Sequence, residues 1–297
     1  MEKNMEHEIA AINQQSFKDK IKSYTKHPGS FLLLLLVLVA AVLTVGVLVF
    51  LVGYILIRGI PYLKPSLFAW TYNSDNVSML PAMINTLFMT VLALVLSVPF
   101  GVGAAIYLVE YAKKGNKLVG TIRVTAETLS GIPSIIYGLF GMLFFVTALK
   151  WGYSMMAGAA TLAIMVLPVI MRTTEEALLC VPDSFREGSF GLGAGKLRTI
   201  FKIVLPSAIP GILSGIILAI GRIVGETAAL IYTSGTVANL AGFFDSGRTL
   251  AIHMYSLSRE GMHTNEAYAT AVVLLVVVLI INGVSSLIAK KFEAPKQ

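Results

Sequence analysis

The sequence is poor in charged residues and nearly free of cysteine. Only 13% of its 297 residues are Asp, Glu, Lys or Arg, well below the quarter that is usual in soluble proteins. The single cysteine, Cys180, excludes an intramolecular disulfide and spells out no cysteine-based metal site. The four histidines have no metal-ligand spacing, and we expect them to be solvated or interfacial. Thiol and metal chemistry are therefore not expected of this chain.

Charge is absent altogether from six intervals, 28–57, 76–109, 128–149, 151–171, 203–221 and 267–289. Each can supply about 20 apolar residues, the length that a helix needs to cross a bilayer. The predicted spans are 31–57, 83–109, 128–149, 152–171, 208–234 and 267–289. Thirty mostly polar residues precede the first span, which we therefore do not expect to be a cleaved signal peptide. The pattern predicts an all-α polytopic membrane protein with six transmembrane helices.

The basic residues are distributed unevenly between the segments that connect these spans. Every second segment holds many Lys and Arg residues, 17 in all, whereas the segments between them hold 5. The basic set begins with residues 1–30 and ends with the 291–297 tail and its flanking lysines. Positive charge collects on the cytoplasmic side of membranes, so both termini are expected in the cytoplasm. The net charge of +7 is thus a topology signal, with a weak attraction to anionic membrane lipid, and no nucleic-acid partner is expected.

The longest cytoplasmic loop, about 172–205, has features that the other loops lack. Pro182 and Asp183 predict a helix start, and glycines at 188–195 predict a break. A second amphipathic helix is expected to follow, with Leu197, Ile200, Phe201 and Val204 on one face. The loop is either an interfacial connector or a docking element for a cytoplasmic partner.

This loop resembles the cytoplasmic loop of ABC-importer permeases, whose pattern is E-A-A-x-x-x-G-x9-I-x-L-P. The matching residues are Glu187, Gly193, Ile203, Leu205 and Pro206, while Gly188 and Ser189 replace the two alanines. The resemblance implies a type I ABC-importer permease fold. It also implies that the loop docks into a separate ATPase subunit, which would hold the ATP and magnesium.

Two further stretches, "SGIPSIIYGLFG" (130–141) and "GRIVGETAAL" (221–230), are similar to phosphate-specific permeases. With them, the core over 80–290 resembles the PstA-type subunit of the Pst phosphate importer in a prokaryotic cell membrane. That family implies a PstC-type sister permease, two copies of a PstB-type ATPase and a PstS-type extracytoplasmic phosphate-binding protein.

Arg222 and Glu226 are the only charged residues between Lys202 and Asp245. Four positions apart on a helix, they are expected to share one face and pair. Gly211, Gly215, Gly221 and Gly225 give that helix the spacing of close helix contacts. A buried charge in a membrane is costly, so the pair either fixes helix packing or presents a cation to a transported anion. The resemblance favours the second reading, with Arg222 and Glu226 in the substrate pathway.

An enzymatic role is not expected. The glycine-rich "GSFGLGAGKLRT" fails the phosphate-loop pattern, because Phe190 and Leu197 stand where glycine and Ser or Thr are needed. No cofactor is expected in this chain itself. The alternatives that stay open are a permease for another oxyanion, such as sulfate or molybdate, and a membrane scaffold or signalling subunit that transports nothing.

Overall fold

The computed structural model describes residues 28–113 and 115–292, and within them all regular structure is helical. The expected cytoplasmic end segments, 1–30 and 291–297, lie almost wholly outside these residues. The chain divides into a unit up to Ile55 and a unit from Leu56 onward. The helices are α1 (Pro28–Gly59), α2 (Leu80–Ile106), α3 (Lys117–Ser130), α4 (Ser134–Gly141), α5 (Met155–Leu179), α6 (Asp183–Gly191), α7 (Lys196–Val224), α8 (Ala228–Ile231), α9 (Leu250–Glu260) and α10 (Thr264–Phe292).

The first unit consists of most of α1. This helix is 32 residues long, has no charged residue before Arg58 and is apolar over its whole length. At about 1.5 Å per residue it exceeds the thickness of a bilayer core. The first predicted span is confirmed.

The core of the second unit is built from α2, α5 and α7. Buried side chains of all three helices, among them Met89, Leu162, Met165, Ile170 and Ile223, form one apolar cluster. Helices α2 and α5 contain most of the predicted second and fourth spans, α7 contains only 208–224 of the fifth, and α10 covers the sixth.

Two glycines of α7 allow it to lie against α5. A Cβ at Gly211 would come within 2.5 Å of the Ala177 Cβ, and one at Gly215 would overlap the Thr173 side chain. The predicted close packing is therefore confirmed for this half of the helix. It is wrong for the other half, since a Cβ at Gly221 would meet nothing within 4 Å and one at Gly225 only a backbone oxygen at 3.6 Å.

The third span is not the continuous helix 128–149 that the sequence predicts. Helix α3 ends at Ser130, and α4 begins at Ser134, continuing as a π-helical segment to Ala148 at 100° to α3. Pro133 causes the break, because it lacks an N–H and disfavours helical geometry at Ile132. Only residues 134–148 are therefore available to cross the apolar layer at this point.

The fifth span differs at both ends from the predicted 208–234. The second helix of the loop and the span are one helix of 29 residues, α7, which starts at Lys196. It ends at Val224, with Gly225 as its cap, and the short α8 follows after a break. Residues 225–234 therefore do not continue the span as a helix.

The outer loops fold into a second apolar cluster against the start of α2. Helix α9 buries Leu250 and Leu257 beside Leu67 and Met79. His253, expected to be solvated or interfacial, is fully buried in this layer. The apolar face of α9 is therefore used within the chain.

Candidate functional site

Arg222 lies in the last turn of α7, three residues from the break in the fifth span. Its side chain is half-buried, and within the described residues no carboxylate oxygen lies within 4 Å of its guanidinium. The helix C-terminus partly compensates its charge, because a cation there is stabilised by the helix dipole. A guanidinium without a counterion remains free to receive an anion.

Glu226 does not pair with Arg222, contrary to the sequence prediction. Because α7 ends at Val224, the two residues are no longer one helical turn apart on a common face. The Glu226 carboxylate accepts a hydrogen bond from the Ala229 backbone N–H at 2.9 Å, at the start of α8. A carboxylate there satisfies a free backbone donor. In this structure Glu226 therefore stabilises the start of α8 and does not hold Arg222 in place.

The two stretches that resemble phosphate permeases come together in space. Helix α4 packs on α8 so closely that a Cβ at Gly138 would lie 2.8 Å from the Ala229 Cα. Tyr137, beside it, is buried, and its hydroxyl donates to the Leu129 carbonyl oxygen at 2.7 Å. Glu226 and the "SIIYGLFG" helix thus meet at α8, and Arg222 lies just before the break that leads to α8.

Polar side chains of α2 and of the break in the third span mostly bond to backbone. The Thr86 and Thr90 hydroxyls each donate to the carbonyl four residues earlier, at 2.7 Å, and the Ser130 hydroxyl donates to the Glu127 carbonyl. Asn85 donates to the Asn239 carbonyl and so ties α2 to the outer loop. These side chains are structural in this conformation.

Sequence reasoning missed a charged cluster at the cytoplasmic end of α5. Arg123 on α3 pairs with Glu175, and Arg172 bridges Glu127 on α3 and Glu176 on its own helix, at 3.4 and 3.2 Å. These side chains line a cavity of about 410 Å³. Two arginines face three glutamates, so the cluster has an excess of negative charge and does not favour an oxyanion. It fastens α3 to α5. The Arg-x-x-Glu-Glu spacing at 172–176 was the available signal.

The cytoplasmic loop forms the predicted first helix, α6, with Pro182 as its cap residue. The Ser189 and Thr199 hydroxyls, 2.8 Å apart and buried, join α6 to the start of α7. Gly193 makes the turn between the helices with φ of +82°, a conformation that other residues adopt at a cost. The predicted glycine break is therefore confirmed for 192–195 only; it is wrong for 188–191, because α6 continues to Gly191.

Several of the predicted coupling residues meet at the surface of this loop. Gly188, Ser189, Ile203 and Pro206 line one groove between α6 and α7. Gly193, with Ser189 and Ile203, lines the adjoining groove. Glu187 lies on the exposed side of α6, and Leu205 packs inward against a third apolar cluster. The structure thus gathers Gly188, Ser189, Gly193, Ile203 and Pro206, and leaves Glu187 and Leu205 outside the grooves.

Only part of the apolar face expected for the second loop helix is buried. Ile200 and Val204 are buried against the chain, as predicted, but Leu197 and Phe201 are more than half exposed. Leu192, at the turn, is 91% exposed. The reason is that α7 has two apolar sides here, one packed on its own subunit and one uncovered.

A family model described as "binding-protein-dependent transport system inner membrane component" matches residues 97–294, two thirds of the chain. The chain belongs to this family of ABC-importer permeases. It is a multi-pass cell-membrane protein and a transport subunit; it is not itself an enzyme.

Curated relatives narrow the subfamily. A probable ABC transporter permease, YqgI of Bacillus subtilis, is 34% identical over 86% of this chain and 94% of its own. PstA 1 of Mycobacterium tuberculosis, a phosphate transport system permease, is 38% identical over 70% and 69%. PstA of Yersinia pestis is 37% identical over 67% and 68%. The chain is thus a PstA-type permease.

Solved structures confirm the fold. A bacterial ABC transporter that imports the acidic polysaccharide alginate matches with a TM-score of 0.66 and 15% identity, over 93% of this chain and 99% of that one. The inward-facing MetNI methionine transporter matches with 0.57 and 21%, over 72% and 94%. The type I ABC-importer permease fold predicted from the sequence is confirmed by both.

Proposed function

We propose that this chain is the A-type transmembrane subunit of an ATP-driven importer of inorganic phosphate. The observation that carries the proposal is Arg222, a half-buried guanidinium beside the break in the fifth span, to which the described part of the chain offers no carboxylate partner. Phosphate is the transported ion in the names of the PstA relatives. A guanidinium suits it, because it stays charged at all relevant pH values and matches two oxygens at once.

In this proposal Arg222 attracts the anion and Glu226 acts indirectly. Glu226 caps α8, and α8 packs against α4, so it fixes the wall of the site next to the arginine. Its negative charge also limits how strongly phosphate is held, because an anion bound too tightly is not released.

The grooves between α6 and α7 are the surface that we assign to the ATPase. Apolar side chains, including Leu192 and Leu197, stand exposed around them in a segment outside the membrane spans. Exposed apolar patches of this kind are typical of protein contacts. ATP and magnesium would be bound by that partner and not by this chain.

The remaining partners are those that the resemblance to the Pst importer implies. One subunit supplies one guanidinium and one wall, so a PstC-type sister permease is proposed to supply the other. Two PstB-type ATPases and a PstS-type phosphate-binding protein complete the assembly. The alginate transporter, solved in complex with its periplasmic protein, is a precedent for such a partner on this fold.

Uptake of radiolabelled phosphate tests the proposal, measured per assembled complex in membrane vesicles. We expect Arg222→Gln to abolish uptake while the complex still assembles, because the anion loses its cation and keeps the Glu226 carboxylate. Arg222→Lys should restore little, since an ammonium lacks the paired donors. Glu226→Gln should be milder, because an amide oxygen can still accept the Ala229 N–H.

Two results would contradict the proposal. Near-normal phosphate uptake by Arg222→Gln would make the arginine structural and favour a scaffold or signalling subunit. Competition by sulfate or molybdate stronger than by unlabelled phosphate would assign the pathway to another oxyanion. Arg259→Gln, which removes an exposed arginine of α9, is the matched control and should leave uptake unchanged.

A further inference from the structure

Buried polar atoms without a partner concentrate at one place in the outer layer. Within the described residues, eight buried side-chain polar atoms make no hydrogen bond, and five belong to Arg248, Thr249 and His253. These three residues lie at and just before the start of α9. Such atoms are few in native proteins, and each calls for a ligand or an ordered water.

Arg248 is the charged member of this cluster. It is only 5% exposed, and no carboxylate of the described residues lies within 4 Å of its guanidinium. The Tyr72 ring lies 4.6 Å from the guanidinium carbon. A ring contact of this kind favours the cation but uses none of its N–H donors and brings no negative charge. A buried charge left in this state is costly unless something pairs with it.

The free atoms of Arg248 have a specific geometry. Nε and Nη2, both unpaired, are the two nitrogens on one side of the guanidinium, from which two parallel N–H groups point outward. This edge matches two oxygens of one oxyanion. The backbone of Arg248 is fixed, since its N–H donates to the Val237 carbonyl and its carbonyl accepts from the Asn85 amide. The main chain that carries the fork is therefore fixed before any ligand arrives.

The surrounding groups complete a site for an anion. Thr249 is the cap residue of α9, yet its hydroxyl caps no backbone N–H and is buried without a partner. The start of an 11-residue helix favours negative charge nearby. His253 follows one turn later, edge-on to the same Tyr72 ring at 6.2 Å. Its ring also interacts with the Val77 backbone, so Arg248 and Thr249 carry the site and His253 borders it.

We propose that Arg248, Thr249 and the N-terminus of α9 bind a small inorganic oxyanion on the extracytoplasmic side of the permease. The occupant that we assign is a free ion, because Arg248 and Thr249 are only 5% and 2% exposed and a guanidinium buried in this way needs a counterion. The bound ion neutralises Arg248 and stabilises the outer layer against α2. This site does not depend on the proposed transport function.

The test uses the purified full-length chain in detergent and measures its Tm while sodium phosphate or sodium sulfate replaces sodium gluconate at constant ionic strength. The wild-type Tm should rise by several degrees and saturate. Arg248→Gln should abolish the rise. Arg222→Gln should retain it, which separates this site from the pathway, and the exposed Arg259→Gln should retain it too.

A second variant keeps the test decisive if Arg248→Gln fails to fold. Thr249→Val preserves the guanidinium and the shape of the side chain but removes the hydroxyl, and should raise the half-saturating concentration at least fivefold. The proposal is overturned by a wild-type Tm that does not respond to either oxyanion. It is equally overturned by an unchanged response in Arg248→Gln or Thr249→Val, or by loss of the response in Arg222→Gln.

Discussion

Arg186 of α6 and Glu110, at the cytoplasmic end of the second span, form an ion pair that is almost closed to solvent. The Arg186 Nη2 and Glu110 Oε1 atoms are 2.8 Å apart, and the two side chains are 14% and 9% exposed. The same guanidinium donates to the carbonyl oxygens of Leu178 and Val181 at 2.9 and 2.7 Å. One side chain therefore holds α6 to the ends of two spans.

Removing one partner of this pair should loosen the loop. Glu110→Gln removes the buried counterion of Arg186 and leaves only the exposed Asp183 beside it, and breaking a buried pair costs about 3 kcal/mol. We expect a lower Tm for the purified chain and weaker retention of the ATPase on purification from membranes.

Asp183 provides the matched control. It also contacts Arg186, at 3.2 Å, but its side chain is 80% exposed. Exposed pairs contribute little, so Asp183→Asn should change the stability by less than about 1 kcal/mol. If both variants lowered the stability equally, burial would not explain the contribution of the Arg186–Glu110 pair to stability.

Gly138 should not tolerate a methyl group. In Gly138→Ala the new Cβ would lie 2.8 Å from the Ala229 Cα and 3.1 Å from the Ala229 carbonyl oxygen, so α8 has to move away from α4. Because Glu226 caps α8, we expect reduced phosphate uptake with the complex still assembled. Gly120→Ala, where a Cβ meets nothing within 4 Å, should transport normally. Normal phosphate uptake by Gly138→Ala would show that transport does not require the close contact between α4 and α8.

Two glycines of the cytoplasmic loop should respond in opposite directions. Gly193→Val places a β-branched side chain at φ of +82° and should strain the turn by about 1–2 kcal/mol, with loss of substrate-stimulated ATP hydrolysis. Gly188→Ala, in open space on a helix, should stabilise α6 by about 0.5–1 kcal/mol and keep that activity. If Gly193→Val kept full substrate-stimulated ATP hydrolysis, the loop would be only a connector and not a docking element.

His253 should make the chain less stable in acid. Burial, and then the positive charge of Arg248, lower the pKa of His253 from 6.5 to about 3, and they outweigh an opposing backbone interaction with Val77. Between these values the unfolded chain binds a proton that the folded chain does not. Stability is therefore lost as the pH falls from about 6.5 towards 3, by at most about 1.4 kcal/mol per pH unit.

The measurement is the pH dependence of the Tm without added phosphate or sulfate, compared between wild type and His253→Gln. The difference between the two curves should grow below about pH 6.5 and be flat above it. His263→Gln, which leaves the buried ring in place, should follow the wild type. A constant difference across the whole range would mean that His253 does not titrate on unfolding.

The membrane spans were predictable because lipid imposes one strong rule, an uninterrupted apolar length. The errors came where a local feature overrides that rule. Pro133 breaks the helix within one apolar run, which contains no charge. Gly225 ends the helix within a second apolar run. Hydropathy does not register backbone geometry, so neither break changes the apolar signal.

The candidate site was predictable in its residues but not in its contacts. The isolation of Arg222 among apolar residues identified it, because a charge in such a place requires a reason. The pairing with Glu226 was inferred from a helix that would include both residues, but the helix ends at Val224, two residues before Glu226. Arg248 and His253 escaped notice because their burial depends on Tyr72 and α9, which only the folded outer layer brings to them.

The continuity of α7 has a mechanical consequence. Pro206, at the edge of the loop groove, and Arg222 lie 16 residues apart on one helix, a distance of about 24 Å along its axis. Pro210 lies between them and removes one backbone hydrogen bond, so it is the point at which this stretch can bend. We expect a tilt imposed at the cytoplasmic end to reach the guanidinium through this bend, and the break after Val224 to uncouple α8 from that displacement.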